Sequence, residues 1–126
     1  MKLRLKGNSI RLRLQRSEVD RLRDEKEVGD ATAFPGGLRL RYVIQIDPVV
    51  ATVSVRYVGA SIEIQVPVAR AAAWFAADEV TLAETLTLEN GEQLLVVIEK
   101  DFKCLHTTTM DDERDAFENP NASSNH

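Results

Sequence analysis

Two segments of the chain carry the same alternating pattern of apolar and polar side chains. Residues 7–14 read GNSIRLRL, and residues 59–66 read GASIEIQV. Alternation with a period of two is typical of a strand that buries one face. The Gly-Asn or Gly-Ala pair at the start of each segment is typical of a tight hairpin turn. Each segment is therefore predicted to form the second strand of a β-hairpin.

The rest of the chain supplies further strands and two helices. The same alternation predicts strands over residues 28–34, 38–46, 53–57, 80–88 and 94–98. A helix is predicted over residues 17–26 with Ser17 as its N-cap, and an alanine-rich helix is predicted after Pro67. The expected fold is α+β, with a mainly antiparallel sheet of about eight strands and two helices.

The order of these elements is the same in both halves of the chain. Hairpin, helix and hairpin succeed one another in residues 1–47 and again in residues 53–101. Val28 aligns with Val80 at the spacing of the two matching segments, and allowing two extra residues in the second half aligns the second hairpins. Few residues are identical, so true duplication and shared hairpin chemistry are both open. A duplicated ββαββ unit predicts either a barrel-like arrangement or a pseudo-two-fold domain.

Charge is distributed unevenly along the chain. The net charge is −4, yet residues 1–41 hold 11 Lys and Arg against 6 Asp and Glu, whereas residues 42–126 hold 5 against 14. Alternation places five basic side chains on one face of the first hairpin, called the basic face here: Lys2, Arg4, Lys6, Arg11 and Arg13. A face of this kind attracts a phosphate-bearing ligand or an acidic protein. Arg39 and Arg41 are expected to extend it.

Two plainer interpretations of the basic face are open. Basic residues protect a sheet edge from aggregation, and the protein's own acidic residues are a second possible cover. The acidic net charge and the lack of interleaved aromatic residues argue against a nucleic acid as the partner.

Residues 107–126 are predicted to be an acidic polar tail outside a single domain of residues 1–106. An acidic segment with one aromatic residue, Phe117, is suited to docking on a basic surface.

A second candidate site lies where the last strand ends. Asp101, Cys104 and His106 place a carboxylate, a thiol and an imidazole close together in sequence, a set that binds a metal ion or pairs a thiol with a base. A structural zinc site needs a fourth ligand, and the only other histidine is His126. The plainer interpretation is that Cys104 is a small buried apolar residue. The pattern identifies no particular cofactor.

Several stretches resemble a family of short, uncharacterised bacterial proteins. They are the opening MKLRLKGNSIRLRL, FPGG at residues 34–37, EKDFKCL at 99–105 and DERDAFENP at 112–120. The resemblance implies a bacterial, cytoplasmic setting and no particular activity. A cytoplasmic location also agrees with the single cysteine and with the lack of a signal peptide or a long apolar stretch.

Three functions are therefore open. The leading hypothesis is a non-catalytic binding protein that uses the basic face, with the acidic tail as an internal cover. One alternative is a small metal- or thiol-dependent enzyme built on Asp101, Cys104 and His106. The other is a structural subunit of an oligomer. The glycine-rich and nucleophile motifs of common enzyme families are absent from the sequence.

Overall fold

The computed structural model describes residues 1–76 and 79–101 of the chain. The elements of the first half are β1 (Lys2–Lys6), β2 (Ser9–Leu14), α1 (Arg16–Glu25), β3 (Glu27–Phe34) and β4 (Leu38–Asp47). Those of the second half are β5 (Ser54–Val58), β6 (Ser61–Pro67), α2 (Val68–Ala76), β7 (Thr81–Thr87) and β8 (Gln93–Lys100). One turn of 3₁₀ helix, Pro35–Gly37, joins β3 to β4. The predicted α+β class is confirmed, with eight strands and two helices in the described residues.

The strands form two four-stranded sheets, and each sheet takes one hairpin from each half of the chain. Sheet A has the order β1-β2-β8-β7, and sheet B has the order β3-β4-β6-β5. The strands of each hairpin are antiparallel. The two hairpins of a sheet meet through a parallel pair, which is β2 with β8 in sheet A and β4 with β6 in sheet B. Both sheets are therefore mixed.

The barrel-like arrangement is not found, because each sheet formed by the described residues is open and ends on two edge strands. Antiparallel pairing holds within the four hairpins, and the pairs between hairpins are parallel. A tight turn forces consecutive strands to run antiparallel, and the alternating pattern with its turn residues reveals this. The direction in which one hairpin meets another depends on packing, which no local pattern reveals.

The two sheets match each other in register as well as in order. Leu12 lies opposite Ile98 in sheet A, and Ile64 lies opposite Ile44 in sheet B. Residues 52 apart, such as Leu12 and Ile64, therefore occupy matching places, as do residues 54 apart, such as Ile44 and Ile98. This regularity agrees with a duplicated ββαββ unit, although duplication itself stays a prediction.

The structure shifts one part of the predicted alignment. Val28 lies opposite Ile44, and the residue in the matching place, opposite Ile98, is Leu82 rather than Val80. One residue separates α1 from β3, whereas four separate α2 from β7. The two extra residues of the second half therefore fall after its helix and not within its second hairpin.

One apolar core joins both sheets and both helices. The inward residues of the central strands are buried, and the most deeply buried are Leu12, Leu14, Ile44, Ile64, Val96 and Ile98. Leu22 of α1 and Trp74 of α2 enter the same core. The indole Nε1 of Trp74 donates a hydrogen bond to the carbonyl of Val80 at 3.3 Å, so its one polar atom is satisfied. Neither helix in the described part of the chain is long and apolar enough to cross a membrane.

The N-cap residue of α1 differs from the prediction, and the residue that ends the helix has an unusual backbone conformation. The N-cap is Gln15, and not Ser17, because the backbone N–H of Gln15 donates to the carboxylate of Glu18 at 2.9 Å and the helix starts earlier. At the other end, Lys26 adopts a left-handed backbone with φ of 67°. Within the described ranges it is the one non-glycine residue with a positive φ. For a residue that has a Cβ atom, the left-handed conformation lowers stability by roughly 1–2 kcal/mol.

We predict that Lys26→Gly raises the free energy of unfolding by about 1 kcal/mol, because glycine adopts the left-handed conformation without strain. Urea denaturation measures the change. The control is Glu25→Gly, which makes a comparable change one residue earlier, inside the helix, and should lower stability by about 1 kcal/mol. A loss of stability in both variants would contradict the assignment of strain to Lys26.

Candidate functional site

The structure brings all five residues of the basic face together. Lys2 lies opposite Arg13, and Arg4 lies opposite Arg11, in the antiparallel pair of β1 and β2. Lys6 lies on the same side of β1, two residues beyond Arg4. The intervening residues of β2 are buried in the core. The basic face is therefore the part of sheet A that points away from the core.

Arg39 and Arg41 do not extend this face. Both lie on β4, which is a central strand of sheet B. The expectation that they join the basic face is therefore wrong. Alternation showed which side of a strand each arginine occupies, but the sheet to which a strand belongs depends on long-range pairing.

A carboxylate that the sequence analysis missed lies within the basic face. Glu99 on β8 is directly beside Arg13 in the parallel pair with β2. Its carboxylate accepts hydrogen bonds from Arg13 Nη2 at 3.0 Å and from Arg11 Nη1 at 3.1 Å. Glu99 is only 8 % exposed. In such a shielded ion pair, removing one partner is costly because it leaves a charge without its counter-ion.

Glu99 offsets only part of the positive charge. The other residues of β7 and β8 that share this side of sheet A carry no charge; they are Thr81, Ala83, Thr85, Thr87, Gln93, Leu95 and Val97. Five cationic side chains therefore face one carboxylate on the four strands of sheet A. Lys2 and Lys6 make no ion pair with any described residue. The excess positive charge lies toward the edge strand β1.

Sheet B has a matching row of outward side chains, one on each of its four strands, and this row is almost neutral. Ser54 Oγ donates to Gln65 Oε1 at 3.0 Å, Gln65 Nε2 donates to Gln45 Oε1 at 3.0 Å, and the chain continues through Gln45 Nε2 to Glu27 Oε1 at 2.9 Å. This hydrogen-bonded row crosses all four strands. The residues in the matching places of sheet A are Lys2, Arg13, Glu99 and Thr81. The same scaffold thus holds an amide pair in one sheet and an ion pair in the other.

The next row distinguishes the two sheets further. In sheet B, Arg56 on β5 faces Glu63 on β6, and Nη2 of the arginine lies 2.6 Å from Oε1 of the glutamate. At the matching place in sheet A, Arg4 faces Arg11. Opposite charges directly across a strand pair stabilise a sheet, and like charges destabilise it. Sheet A therefore has two arginines facing each other where sheet B has an arginine and a glutamate.

Of the second candidate site, the structure describes only Asp101. Its backbone N–H donates to the carbonyl of Leu14 at 2.8 Å, which places the end of β8 beside the start of α1. Cys104 and His106 lie outside the described residues, as does the predicted tail of residues 107–126. No group of three or more His, Cys, Asp or Glu side chains within residues 1–76 and 79–101 is arranged to hold a metal ion.

Comparison with known proteins identifies a family but no activity. A family model described as "Family of unknown function (DUF7009)" matches residues 1–121. The chain belongs to this family. No curated protein and no solved structure matches the chain. The resemblance to an uncharacterised family is confirmed to this extent, and the bacterial origin of this DUF7009 chain stays a prediction.

We predict that Glu99→Gln lowers the free energy of unfolding by about 2 kcal/mol, because Arg11 and Arg13 would lose the carboxylate between them. Urea denaturation measures the loss.

A double-mutant cycle provides the control. Arg13→Gln combined with Glu99→Gln places two amides where sheet B has Gln65 and Gln45, so most of the lost stability should return. Additive losses in the double variant would show that Arg13 and Glu99 are not energetically coupled, contrary to their geometry.

Proposed function

We propose that this chain is a non-catalytic binding protein whose basic face contacts an acidic protein or a phosphate-bearing ligand. The observation that carries the proposal is the charge on the outward side of sheet A, where Lys2 and Lys6 make no ion pair with any described residue and Glu99 is the one carboxylate on the four strands. An anion bound over β1 and β2 would lie against the ammonium groups of Lys2 and Lys6.

The spacing of the basic side chains favours a partner with several anionic groups. Lys2, Arg4 and Lys6 alternate along β1, so neighbouring charges on this strand are about 7 Å apart. They lie in a row along one face of β1, and a single small anion would contact few of them. Arginine also binds carboxylate and phosphate groups through two parallel hydrogen bonds. A polyphosphate or a run of acidic side chains fits this pattern best.

The acidic tail is part of the same proposal. Residues 107–126 include the acidic residues Asp111, Asp112, Glu113, Asp115 and Glu118. In the proposal they compete with an external partner for the basic face, so the free tail regulates binding. A cytoplasmic location also belongs to the proposal. A nucleic acid is not proposed, because the net charge of the chain is −4.

We predict that Arg4→Glu weakens binding of a fluorescently labelled polyglutamate peptide, and of tripolyphosphate as its competitor, at least about tenfold. The loss should shrink as salt rises, because salt screens exposed charges. The variant should stay folded, because the new carboxylate would face Arg11 as Glu63 faces Arg56. Fluorescence anisotropy at low and high salt measures the affinities, and urea denaturation measures stability.

The matched control is Arg41→Glu, which makes the same charge change on sheet B. It should leave the affinity within about twofold of the unmodified chain. Equal losses in the two variants would mean that net charge alone drives binding, and the proposal would then be wrong. Replacing the acidic residues of 111–115 by their amides in the full chain should raise affinity if the tail competes.

An oligomeric subunit is a second candidate, and one observation favours it. Tyr57 and Val58 on the edge strand β5 are 72 % and 58 % exposed. An edge strand with exposed apolar side chains can pair with another chain. We expect light scattering to show a dimer that Tyr57→Lys dissociates if this candidate is correct, and a clean monomer would contradict it. For the metal- or thiol-dependent enzyme, bound metal or a reactive Cys104 would be the supporting result, and the absence of both would remove it.

A further inference from the structure

Helix α2 exposes apolar side chains that the core does not use. Its one charged residue, Arg70, turns toward the edge of sheet A, where Nη2 donates to the carbonyl of Ala83 at 3.1 Å. Ala71 and Trp74 form its buried side. A third side is apolar and open to solvent, and its Val68 is 51 % exposed. Such a side on a short helix calls for a physical explanation.

This third side forms one wall of a groove of about 620 Å³. Ala72 and Phe75 of α2 line it, facing Ile46 and Pro48 at the end of β4. The volume lies within the range of roughly 300–1,000 Å³ that is usual for small-molecule sites. The groove stays open at Ala72, because the alanine side chain is too small to fill the gap between α2 and β4.

The polar lining of the groove consists of two cations from the end of α1. Arg23 is already paired, since its guanidinium lies 3.1 Å from a carboxylate oxygen of Asp20 and 3.3 Å from one of Asp24. Lys26 has no carboxylate partner among the described residues, and its Nζ donates to the carbonyl of Arg23 at 2.7 Å. No acidic residue among those that the structure describes lines the groove. The groove therefore has an apolar wall and, at one end, a positive charge with no carboxylate partner in residues 1–76 and 79–101.

The backbone conformation of Lys26 also indicates that its positive charge binds a ligand. The residue ends α1 in the left-handed conformation, where glycine or asparagine is less strained. Strained residues are concentrated at sites where the side chain is used. A lysine kept in this conformation at the end of an apolar groove is explained if its ammonium group binds a ligand.

We propose that the groove binds a small amphipathic anion, with an alkyl or aryl body against Ala72 and Phe75 and a carboxylate at Lys26. The apolar wall provides the affinity, and the ammonium group selects the anion over a neutral analogue. This proposal does not rest on the binding role of the basic face, which lies on the strands β1 and β2 of sheet A.

Isothermal titration of the full chain with decanoate and with decan-1-ol tests the proposal. Decanoate should bind to one site, about tenfold more tightly than the alcohol. Lys26→Asn should remove most of this preference and leave the affinity for the alcohol unchanged. Asparagine tolerates the left-handed backbone, so the variant keeps the end of α1 intact.

Two alanines of α2 provide a matched pair of variants. Ala72→Leu fills the groove and should abolish binding of both compounds. Ala73→Leu makes the same change on an exposed residue that does not line the groove, and binding should be unchanged. Equal affinity for acid and alcohol, or decanoate binding that survives Ala72→Leu, would overturn the proposal.

Two other occupants of the groove would give different results. If Phe117→Ser in the full chain raises the decanoate affinity about tenfold, the C-terminal tail is the natural occupant and the proposal fails. If the chain is a dimer that Ala72→Leu converts to a monomer, a second copy is the occupant and the proposal also fails. Unchanged affinity in Phe117→Ser, with a monomer throughout, supports the small anion.

Discussion

The parallel pairing of β2 with β8, and of β4 with β6, is the constraint on which the rest of the structure depends. Each pair joins a strand from one half of the chain to a strand from the other, so neither half completes a sheet alone. The inward residues of these four strands form the centre of the core. Because β2 and β8 are distant in sequence, their pairing carries a loop-closure cost that the shared core must offset. Fold and core therefore form together.

The inward and outward sides of the sheets are under different constraints. Inward, matching places hold similar residues, such as Leu12 and Ile64, since both fill the same core. Outward, matching places differ in charge: Arg13 and Glu99 form an ion pair where Gln65 and Gln45 form an amide pair. Outward side chains can change without creating a cavity, provided that polar groups keep partners. The outward sides of the two sheets can therefore differ in charge without disturbing the core.

The local sequence pattern of apolar, polar and turn residues predicted the hairpins, the helices and the basic face, because each of these depends on residues that are close in sequence. It missed Glu99 because β8 is apolar on both sides, where the outward Val97 is buried like the inward Ile98. Without clear alternation, an acid near the strand end is not assigned to a face. Only the register of β8 with β2 places this carboxylate beside Arg13. The same dependence on pairing explains the wrong assignment of Arg39 and Arg41.

The left-handed backbone of Lys26 and the facing pair of Arg4 and Arg11 lie at two separate surfaces. Natural proteins are seldom at their stability optimum, so neither feature alone indicates a function. Each is informative because its surroundings suit a ligand: an apolar groove beside the lysine, and a cationic sheet face around the arginines. Helix α1 spans the distance between them, since it comes directly after β2 and Gln15 and ends at Lys26. Energetic coupling would require an element that can adopt two arrangements. A helix that is capped at both ends adopts only one arrangement. We therefore expect the two surfaces to bind their ligands independently.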